Sequence, residues 1–352
     1  MSSFPNASGP TPLGDGVSRR GLLRLGRARL VQPAADGHWI RVFRRAMACR
    51  FEVTLPGERA ADIAAARASL EETDRLEAAL SIFRPTSELS LLNQLGATSA
   101  LALSDELFAL LARCRELSAA TAGAFDITST PLSACWGFLR RQPQVPSEPD
   151  LAAARALVGM HQIVLDVDTR TARLAGAGVS VNLGAIGKGY AVQAVAKALR
   201  AHGVTDALVS AGGSSVVAMG GGRAGWRVDV TSARRASRRL ARLRLRNAAL
   251  GTSGAGEQYL EIEGTRHAHV IDPRTGLPSS GIVSASVVTA DAATADALAT
   301  AFFVGGLELA RSYCEAHPGT LALMTPDDGR EQTIAVGGCR GAIVEDCSEL
   351  DA

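Results

Sequence analysis

The stretch HWIRVFRRAMACRFEVTL, residues 38–55, contains two short runs in which apolar and polar residues alternate. Alternation with a period of two is typical of β-strands, and two such runs in succession predict an antiparallel hairpin. A helical spacing of apolar residues follows over 58–80, and a second helix is predicted to begin at Ser104. Because hairpins and helices are mixed along the chain, the sequence predicts an α+β fold with mixed, largely antiparallel sheets and packed helices, and not a doubly wound sheet.

The overall composition is that of an ordinary globular protein. Of the 352 residues, 47% are hydrophobic and 20% are charged, and the formal net charge of +2 argues neither for nor against an anionic partner. The apolar runs are short and interrupted by glycine and charge, so no transmembrane segment is predicted. The six cysteines are scattered without a C-x-x-C pair, which predicts free thiols and not a disulfide framework.

Both ends of the chain differ from the middle. Residues 1–37 are basic, and their Ser-, Pro- and Gly-rich start predicts a disordered tail. The segment SRRGLLRLG, 18–26, resembles a twin-arginine export signal, but the charged continuation lacks the apolar region that such a signal needs. We therefore predict a cytoplasmic protein, with an exported or periplasmic one as the alternative. The domain is predicted to span 38–340, and 341–352 to form an acidic, frayed tail.

A glycine loop stands at VNLGAIGKGY, residues 181–190. A strand, a glycine turn, Lys188 and the start of a helix together suit the binding of a phosphate group. The loop is not a Walker A motif, because Lys188 is followed by Gly189 and not by Ser or Thr. Taken by itself, the pattern predicts either a phosphate cradle or a purely structural turn.

Two further stretches place acids among apolar residues. In DAATADALATAFFVGG, 291–306, Asp296 and Thr300 lie four residues apart on a predicted helix that runs to about Phe303, so their oxygens share one face. Such oxygens suit Mg²⁺, although a solvated acid beside a filler threonine has the same spacing. In TAGAFDITSTPL, 121–132, Asp126 either caps a loop or accepts a hydrogen bond from a ligand.

The segment RHAHVIDPRTGLP, 266–278, places two histidines before a rigid turn. On a strand, His267 and His269 share one face, and Asp272 with Pro273 ends the strand. A histidine held in this way can take a proton from an attacking hydroxyl group. Transition-metal binding is the weaker alternative, because no third His, Cys or acid stands nearby at ligand spacing.

Seven arginines occur in RRASRRLARLRLR, residues 234–246. Leucine and arginine alternate in the second half of this segment, which predicts a half-buried strand with one solvated face. Because no aromatic residue is interleaved to stack on bases, nucleic-acid binding is not predicted.

Seven stretches, taken in order, resemble the motifs of the ApbE family of flavin transferases, the FAD:protein FMN transferases. The matching segments are SIFRPTSELSLLN (81–93), TAGAFDITSTPL (121–132), NLGAIGKGYAV (182–192), ALVSAGGS (207–214), LGTSG (250–254), HVIDPRTGLP (269–278) and DALATAFFVGG (296–306). Together they extend over about residues 45–310 of the chain. Seven matches in register are far more specific than any one of them.

The resemblance implies an enzyme that uses FAD and Mg²⁺ to transfer FMN onto a Ser or Thr hydroxyl of a target flavoprotein, with release of AMP. It implies that His269 is the base and that Asp296, Thr300 and the carbonyl group of Gly187 are metal ligands. It further implies flavin or site contacts by Met47, Asn93, Phe125, Asp126, Lys188, Tyr190 and Asp272. A relative that hydrolyses FAD to FMN and AMP, and a non-catalytic flavin-binding protein, are the alternatives.

The chain departs from the family pattern at three positions. Asn182 and Ser214 stand where an Asp is common, and Gly187 stands where Ala is common. Two carboxylates fewer near a cation site predict a weaker or altered metal preference, because the charge of the ligands tunes the affinity. None of the three removes the proposed base or the pair of metal ligands on the helix.

Overall fold

The computed structural model describes residues 28–30, 38–139, 142, 144–222, 224–232, 238–254, 259–262, 265–330, 332–347 and 349–350. The tail predicted over 1–37, including the twin-arginine-like segment, lies outside these residues except for 28–30, which form a strand paired with residues 228–230 and so are not disordered as predicted. The strands are β1 (Ala28–Leu30), β2 (Trp39–Ala46), β3 (Cys49–Pro56), β4 (Leu101–Ala102), β5 (Ile163–Asp166), β6 (Thr171–Leu174), β7 (Ala207–Ala211), β8 (Ser215–Met219), β9 (Trp226–Thr231), β10 (Arg239–Leu245), β11 (Ala248–Gly254), β12 (Tyr259–Ile262), β13 (Thr265–Ala268), β14 (Ile282–Thr289), β15 (Leu321–Pro326), β16 (Ile334–Gly337), β17 (Ala342–Cys347) and β18 (Glu349–Leu350).

The α-helices are α1 (Ile63–Ser69), α2 (Glu72–Leu80), α3 (Glu88–Leu95), α4 (Asp105–Ala120), α5 (Thr130–Cys135), α6 (Glu148–Ala156), α7 (Gly187–Ala201) and α8 (Ala292–Ala316). The helical pattern predicted over 58–80 is divided into a 3-10 turn at Gly57–Asp62 followed by α1 and α2. The helix predicted from Ser104 is α4, and the Ser104 hydroxyl accepts a hydrogen bond from the amide of Leu107, as an N-cap does.

A nine-stranded sheet forms the centre of the fold, in the order β18-β16-β15-β14-β11-β8-β7-β3-β2. Its neighbours pair antiparallel except β16 and β18, which pair parallel. The hairpin predicted over 38–55 is β2–β3 at one edge of this sheet. A second sheet has the order β1-β9-β10-β17 and is antiparallel throughout. The prediction of an α+β fold with largely antiparallel sheets is therefore confirmed.

The central sheet is buried on both faces. Val209 and Val217 point into a core shared with α1, α2, α7 and α8, whereas Leu208 and Val216 point into a core shared with the second sheet. Neighbouring residues of a strand face opposite sides, so a strand covered on both sides is apolar throughout. For this reason all eight residues of β14 are buried, as are all five of β8.

The end of the chain differs from its expected form. The sequence predicts a frayed tail over 341–352, but Ala342–Cys347 forms strand β17, which pairs with β10. Arg227 and Arg244 form ion pairs with Glu345 of this strand. The acidic residues that suggested a tail therefore lie beside arginines of β9 and β10 and compensate their charge. Arg242 likewise pairs with Asp229, so Arg242 and Arg244 of the arginine-rich segment form ion pairs within their own sheet.

Helix α8 carries the predicted cation ligands. It extends over Ala292–Ala316, but Gly306 has the non-helical angles φ 76° and ψ −170° and kinks it, so the helical stretch that carries Asp296 and Thr300 stops close to its predicted end near Phe303. Within the described residues, this helix is long and apolar enough to cross a membrane by length and composition. A buried core helix passes the same test, and α8 packs against α7, β11 and β14.

Candidate active site

A cavity of about 270 Å³ opens where the glycine loop, the start of α8 and the turn after β13 meet. Thirteen further residues line it beside those singled out from the sequence, among them the hydroxyl-bearing side chains of Ser129, Thr252 and Ser253. The residues that line this cavity come from several of the sequence motifs and are up to 176 positions apart in the chain. The predicted site residues that line the cavity are Phe125, Asp126, Lys188, His269, Asp296 and Thr300.

Asp296 lies at the junction of α7, α8 and β8. Its Oδ2 accepts a hydrogen bond of 2.9 Å from the backbone amide of Gly189, and its Oδ1 accepts one of 3.0 Å from the Ser215 hydroxyl. Helix α7 has no side-chain cap of its own, since its N-cap residue is Ile186. The carboxylate therefore satisfies one of the amide groups that the start of any helix leaves without a partner.

Glycine permits this close packing at two positions. A Cβ atom on Gly189 would lie 2.1 Å from the carbonyl oxygen of Ala292 and 2.7 Å from Cβ of Asp296. A Cβ atom on Gly251, in β11, would lie 2.4 Å from the carbonyl oxygen of Ala295. Both helix α7 and strand β11 thus approach the backbone of α8 more closely than any side chain allows.

Burial raises the pKa of the Asp296 carboxyl above its ordinary value of 3.8. The charge of Lys188, the amide of Gly189 and the hydroxyl of Ser215 act in the opposite direction. A carboxylate that is 4% exposed is costly to ionise unless a positive group compensates it. The site is therefore suited to hold a cation in contact with this side chain.

Hydroxyl groups stand beside the carboxylate. Thr300 lies one helical turn after Asp296, and its Oγ1 donates a 3.4 Å hydrogen bond to the Asp296 carbonyl oxygen. The Ser253 hydroxyl lies 3.2 Å from Thr300 Oγ1. Carboxylate and hydroxyl oxygens are hard donors, and Mg²⁺ is typically bound by one or two carboxylates together with substrate phosphates and water.

The groups of this cavity that could bind a metal ion offer oxygen atoms as ligands. Among the described residues, no group of three or more His, Cys, Asp or Glu side chains is placed to hold a metal ion. One carboxylate with neighbouring hydroxyls fits Mg²⁺ and does not fit Zn²⁺, which prefers nitrogen and sulfur ligands. Gly187, the predicted carbonyl ligand, is the first residue of α7, and its amide donates to the Leu183 carbonyl at 2.7 Å.

The turn after β13 places His269 on the cavity wall. The amide of Ser279 donates to the Val270 carbonyl at 2.9 Å, and Ile271 forms a β-bridge with Pro278, so the two arms of the turn are joined. Trp136 Nε1 donates to the Gly276 carbonyl at 2.8 Å, which attaches the turn to α5. The backbone that carries the imidazole is therefore held on two sides.

Asp272 stabilises this turn and does not line the cavity. Its carboxylate accepts hydrogen bonds from the amide, Nε and Nη2 of Arg274, at 2.9, 2.9 and 2.8 Å. Its carbonyl oxygen accepts the amide of Gly276, which has a left-handed φ of 78°. The predicted role of Asp272 in shaping the site is consistent with this position, whereas direct contact with a flavin or a metal stays a prediction.

Asp126 caps a loop, the first of the two interpretations that its sequence context left open, and a hydrogen bond from a ligand stays a prediction. Its Oδ1 accepts hydrogen bonds from the Thr128 amide at 2.8 Å and from the Thr128 hydroxyl at 2.6 Å, which is a local loop cap. The same residue lines the cavity, together with Phe125. Burial raises the pKa of this carboxyl above 3.8, and its bonds to Thr128 oppose that rise.

Three other predicted contact residues lie outside the cavity lining. The side-chain amide of Asn93 donates to the Val181 carbonyl at 2.9 Å and accepts from the Val181 amide at 2.7 Å. The Tyr190 hydroxyl donates to Glu106 at 3.0 Å, and burial raises the Tyr190 pKa to about 12. Flavin contact by these two residues stays a prediction.

Met47, the third of them, forms the tip of the β2–β3 hairpin. Met47 and Ala48 have left-handed φ angles of 48° and 57°, which a two-residue hairpin loop requires and which residues other than glycine adopt at a cost. The Met47 amide donates to Glu77 at 3.0 Å, and Glu77 also pairs with Arg84. This network connects the hairpin tip to the loop of Phe83, whose side chain is 82% exposed.

Ser215, which contacts Asp296 at this site, carries no signal in the sequence. Ser215 follows Ser214, one of the three departures from the family pattern, yet Ser215 is the residue that contacts Asp296, whereas the Ser214 hydroxyl donates to the Ala211 carbonyl at 3.4 Å. Phe83 lies inside the motif at 81–93, and its exposed ring is available for stacking against a planar ligand. The other departure near the cavity, Asn182, accepts the amide of Gly184 at 2.9 Å.

Many known proteins are similar to this chain in sequence and in fold. A FAD:protein FMN transferase of Vibrio cholerae is 32% identical over 257 residues, which cover 71% of this chain and 76% of the relative. One of Treponema pallidum is 31% identical over 306 residues, covering 81% and 83%. Both relatives therefore match most of their own length.

Solved structures agree with these relatives. The crystal structure of the ApbE protein of Thermotoga maritima has a TM-score of 0.75 at 26% identity, covering 82% of this chain and 95% of that one. The flavin transferase ApbE of Vibrio cholerae has a TM-score of 0.72 at 28% identity, covering 83% and 96%. The model of the ApbE family matches residues 47–325, which include every segment that lines the cavity. By fold, by sequence and by the extent of that match, the chain belongs to the ApbE family.

Proposed function

We propose that this protein is a Mg²⁺-dependent FAD:protein FMN transferase, which moves FMN from FAD onto a Ser or Thr hydroxyl of a target flavoprotein and releases AMP. Membership of the family and the similarity to FAD:protein FMN transferases support flavin transfer. The observation that carries the proposal is the single cavity in which Asp296 and Thr300, Lys188 and His269 all lie. These are a carboxylate beside a hydroxyl, a positively charged amine and an imidazole, which can hold a cation, bind phosphate oxygens and accept the proton of an attacking hydroxyl in phosphoryl-type transfer.

In this reaction the acceptor oxygen forms a bond to the phosphorus of the FMN half. The bond between that phosphorus and the oxygen bridging to AMP breaks, and AMP leaves with the electron pair. The acceptor hydroxyl loses its proton, and His269 is the group on the cavity wall that takes it. The products are a phosphoester on the target and AMP, so one anhydride bond is exchanged for one ester bond.

The other residues of the cavity hold the substrate. Lys188 supplies positive charge to the diphosphate of FAD at the start of α7, where helix amides also favour an anion. Asp296, Thr300 and the Gly187 carbonyl are the groups that we propose to hold Mg²⁺. When bound, the ion neutralises negative charge on the phosphate oxygens. Phe125 and Asp126 offer an apolar surface and a hydrogen-bond acceptor on the lining of the cavity.

One assay separates the three candidate activities. The protein is incubated with FAD, Mg²⁺ and a flavoprotein domain that carries an acceptor threonine, and AMP and the mass of the domain are measured. Release of AMP with a mass gain of one FMN supports transfer. Release of AMP with free FMN supports hydrolysis, and bound FAD without AMP indicates a binding protein. A reaction with EDTA in place of Mg²⁺ is the matched control for the cation.

A further inference from the structure

Ser215 contacts the proposed cation ligand from the central sheet. It is the first residue of β8, its side chain is fully buried, and its hydroxyl donates a 3.0 Å hydrogen bond to Oδ1 of Asp296. The two residues are 81 positions apart in sequence. A buried hydroxyl normally bonds to a nearby backbone group, so a bond to a carboxylate on another element indicates a specific task.

The two hydrogen bonds of Asp296 hold opposite oxygens. Oδ2 is held by the amide of Gly189, whose position is set by the helix backbone, and Oδ1 is held by Ser215. Rotation of an aspartate about its last torsion angle is broad and roughly two-fold. A single donor leaves this rotation loosely restricted, whereas donors on both oxygens define the plane of the carboxylate and therefore the direction of its remaining lone pairs.

We propose that Ser215 is a positioning residue for Asp296, and that its hydroxyl sets the affinity of the site for a divalent cation. The proposal rests on the proposed function, because it assumes that Asp296 holds the cation. Partners that orient a metal-binding carboxylate typically change metal affinity by about 10- to 100-fold when they are removed. In this chain the task falls to Ser215, since the neighbouring Ser214 hydroxyl bonds within its own loop.

The central sheet offers a matched control. Ser284, in β14, is 1% exposed, and its hydroxyl has no hydrogen-bond partner among the described residues. Ser284 does not line the cavity. Ser215→Ala and Ser284→Ala therefore remove the same atom from the same buried sheet, and they differ in whether that atom holds Asp296.

The first measurement is the dissociation constant of Mg²⁺ for the full chain without FAD, by isothermal titration calorimetry. We expect about 10- to 100-fold weaker binding for Ser215→Ala and a change below about two-fold for Ser284→Ala. Equal affinity of Ser215→Ala and the wild type overturns the proposal, as does an equal loss in both variants. A wild type that binds no Mg²⁺ instead overturns the cation site itself, which is a distinguishable result.

The second measurement is the dependence of AMP release on Mg²⁺ concentration. For Ser215→Ala, the concentration needed for half the maximal rate rises by the same factor as the dissociation constant, while the rate at saturating Mg²⁺ stays within about three-fold of wild type. A reduced maximal rate with an unchanged Mg²⁺ requirement contradicts a positioning role. Should Ser215→Ala fail to fold, Ser215→Cys keeps the approximate volume with a weaker donor and gives an intermediate loss of affinity.

Discussion

The amide of Gly189 donates a 2.9 Å hydrogen bond to the carboxylate of Asp296, which stands 107 residues later in the chain. Through this bond the start of one helix is capped by a side chain from another. The same carboxylate lines the cavity as the proposed cation ligand. The geometry of the glycine loop and the position of the cation site are therefore parts of one arrangement, and changes to either residue affect both.

Two glycines of helix α7 should respond differently to the same substitution. At Gly189 a new Cβ atom would lie 2.1 Å from a backbone oxygen of α8, whereas at Gly187 the nearest atom is 4.0 Å away. We expect Gly189→Ala to lower the free energy of unfolding by about 1–3 kcal/mol, and Gly187→Ala to leave it unchanged or raise it by about 0.5–1 kcal/mol. Urea denaturation of both variants measures this. Equal effects at the two positions would contradict the close packing of α7 on α8.

His269 is expected to act in the chemical step and not in binding. In His269→Gln we expect AMP release to slow by about 10²- to 10⁴-fold, while the dissociation constant of FAD stays within a few-fold of wild type. Fluorescence titration gives the affinity and an AMP assay gives the rate. His267→Ala is the matched control, since the family motif does not include that histidine, and it should keep normal turnover. Normal turnover of His269→Gln would refute its role as base.

In the metal-free protein, the contribution of Asp296 to stability should fall as the pH rises. Burial raises the native pKa of Asp296 above the unfolded value of 3.8, so the folded state binds the proton more tightly. Stability from this group is then greatest below pH 3.8 and is lost as the pH rises from 3.8 through the native pKa. Asp296→Asn keeps an acceptor for Gly189 but does not titrate, so its stability should decline less steeply.

Urea denaturation in EDTA at several pH values measures this difference. Asp126, whose pKa burial also raises, keeps its own contribution in both proteins. Identical slopes for the wild type and Asp296→Asn would show that the ionisation of Asp296 has no cost in the folded protein. Addition of Mg²⁺ should stabilise the wild type increasingly toward higher pH and should leave Asp296→Asn unaffected.

Asn93 is expected to act through the irregular segment that leads into the glycine loop. Its side chain makes two hydrogen bonds with the backbone of Val181, at 2.9 and 2.7 Å. Asn93→Ala leaves both backbone groups without these partners, so we expect a loss of about 1–3 kcal/mol in the free energy of unfolding. Thermal denaturation with and without FAD tests this. An unchanged stability together with lost FAD binding would instead indicate direct contact with the flavin.

Local sequence patterns predicted the helices and strands within the domain better than the strand near the end of the chain. The β2–β3 hairpin follows from alternation, and α4 follows from its cap and apolar spacing. The first part of helix α8 stops at the kink at Gly306, close to the end predicted near Phe303. Strand β17 was not predicted at all, since its pairing with β10 depends on residues about 100 positions earlier. The acidic composition of this strand suggests a tail, because the basic residues that it pairs with lie far away in the sequence.

Sequence motifs sufficed to identify the family and to name six residues that line one cavity, because the chemistry of each motif is local: a helix places Asp296 and Thr300 on one face, and a turn presents His269. Tertiary structure decided which of the named residues reach the cavity and what holds them. Asn93, Tyr190 and Asp272 bond to other protein groups, whereas Ser215 holds the carboxylate. Hydrogen bonds between different helices and strands depend on how these elements pack, and the spacing of residues within one motif does not determine that packing.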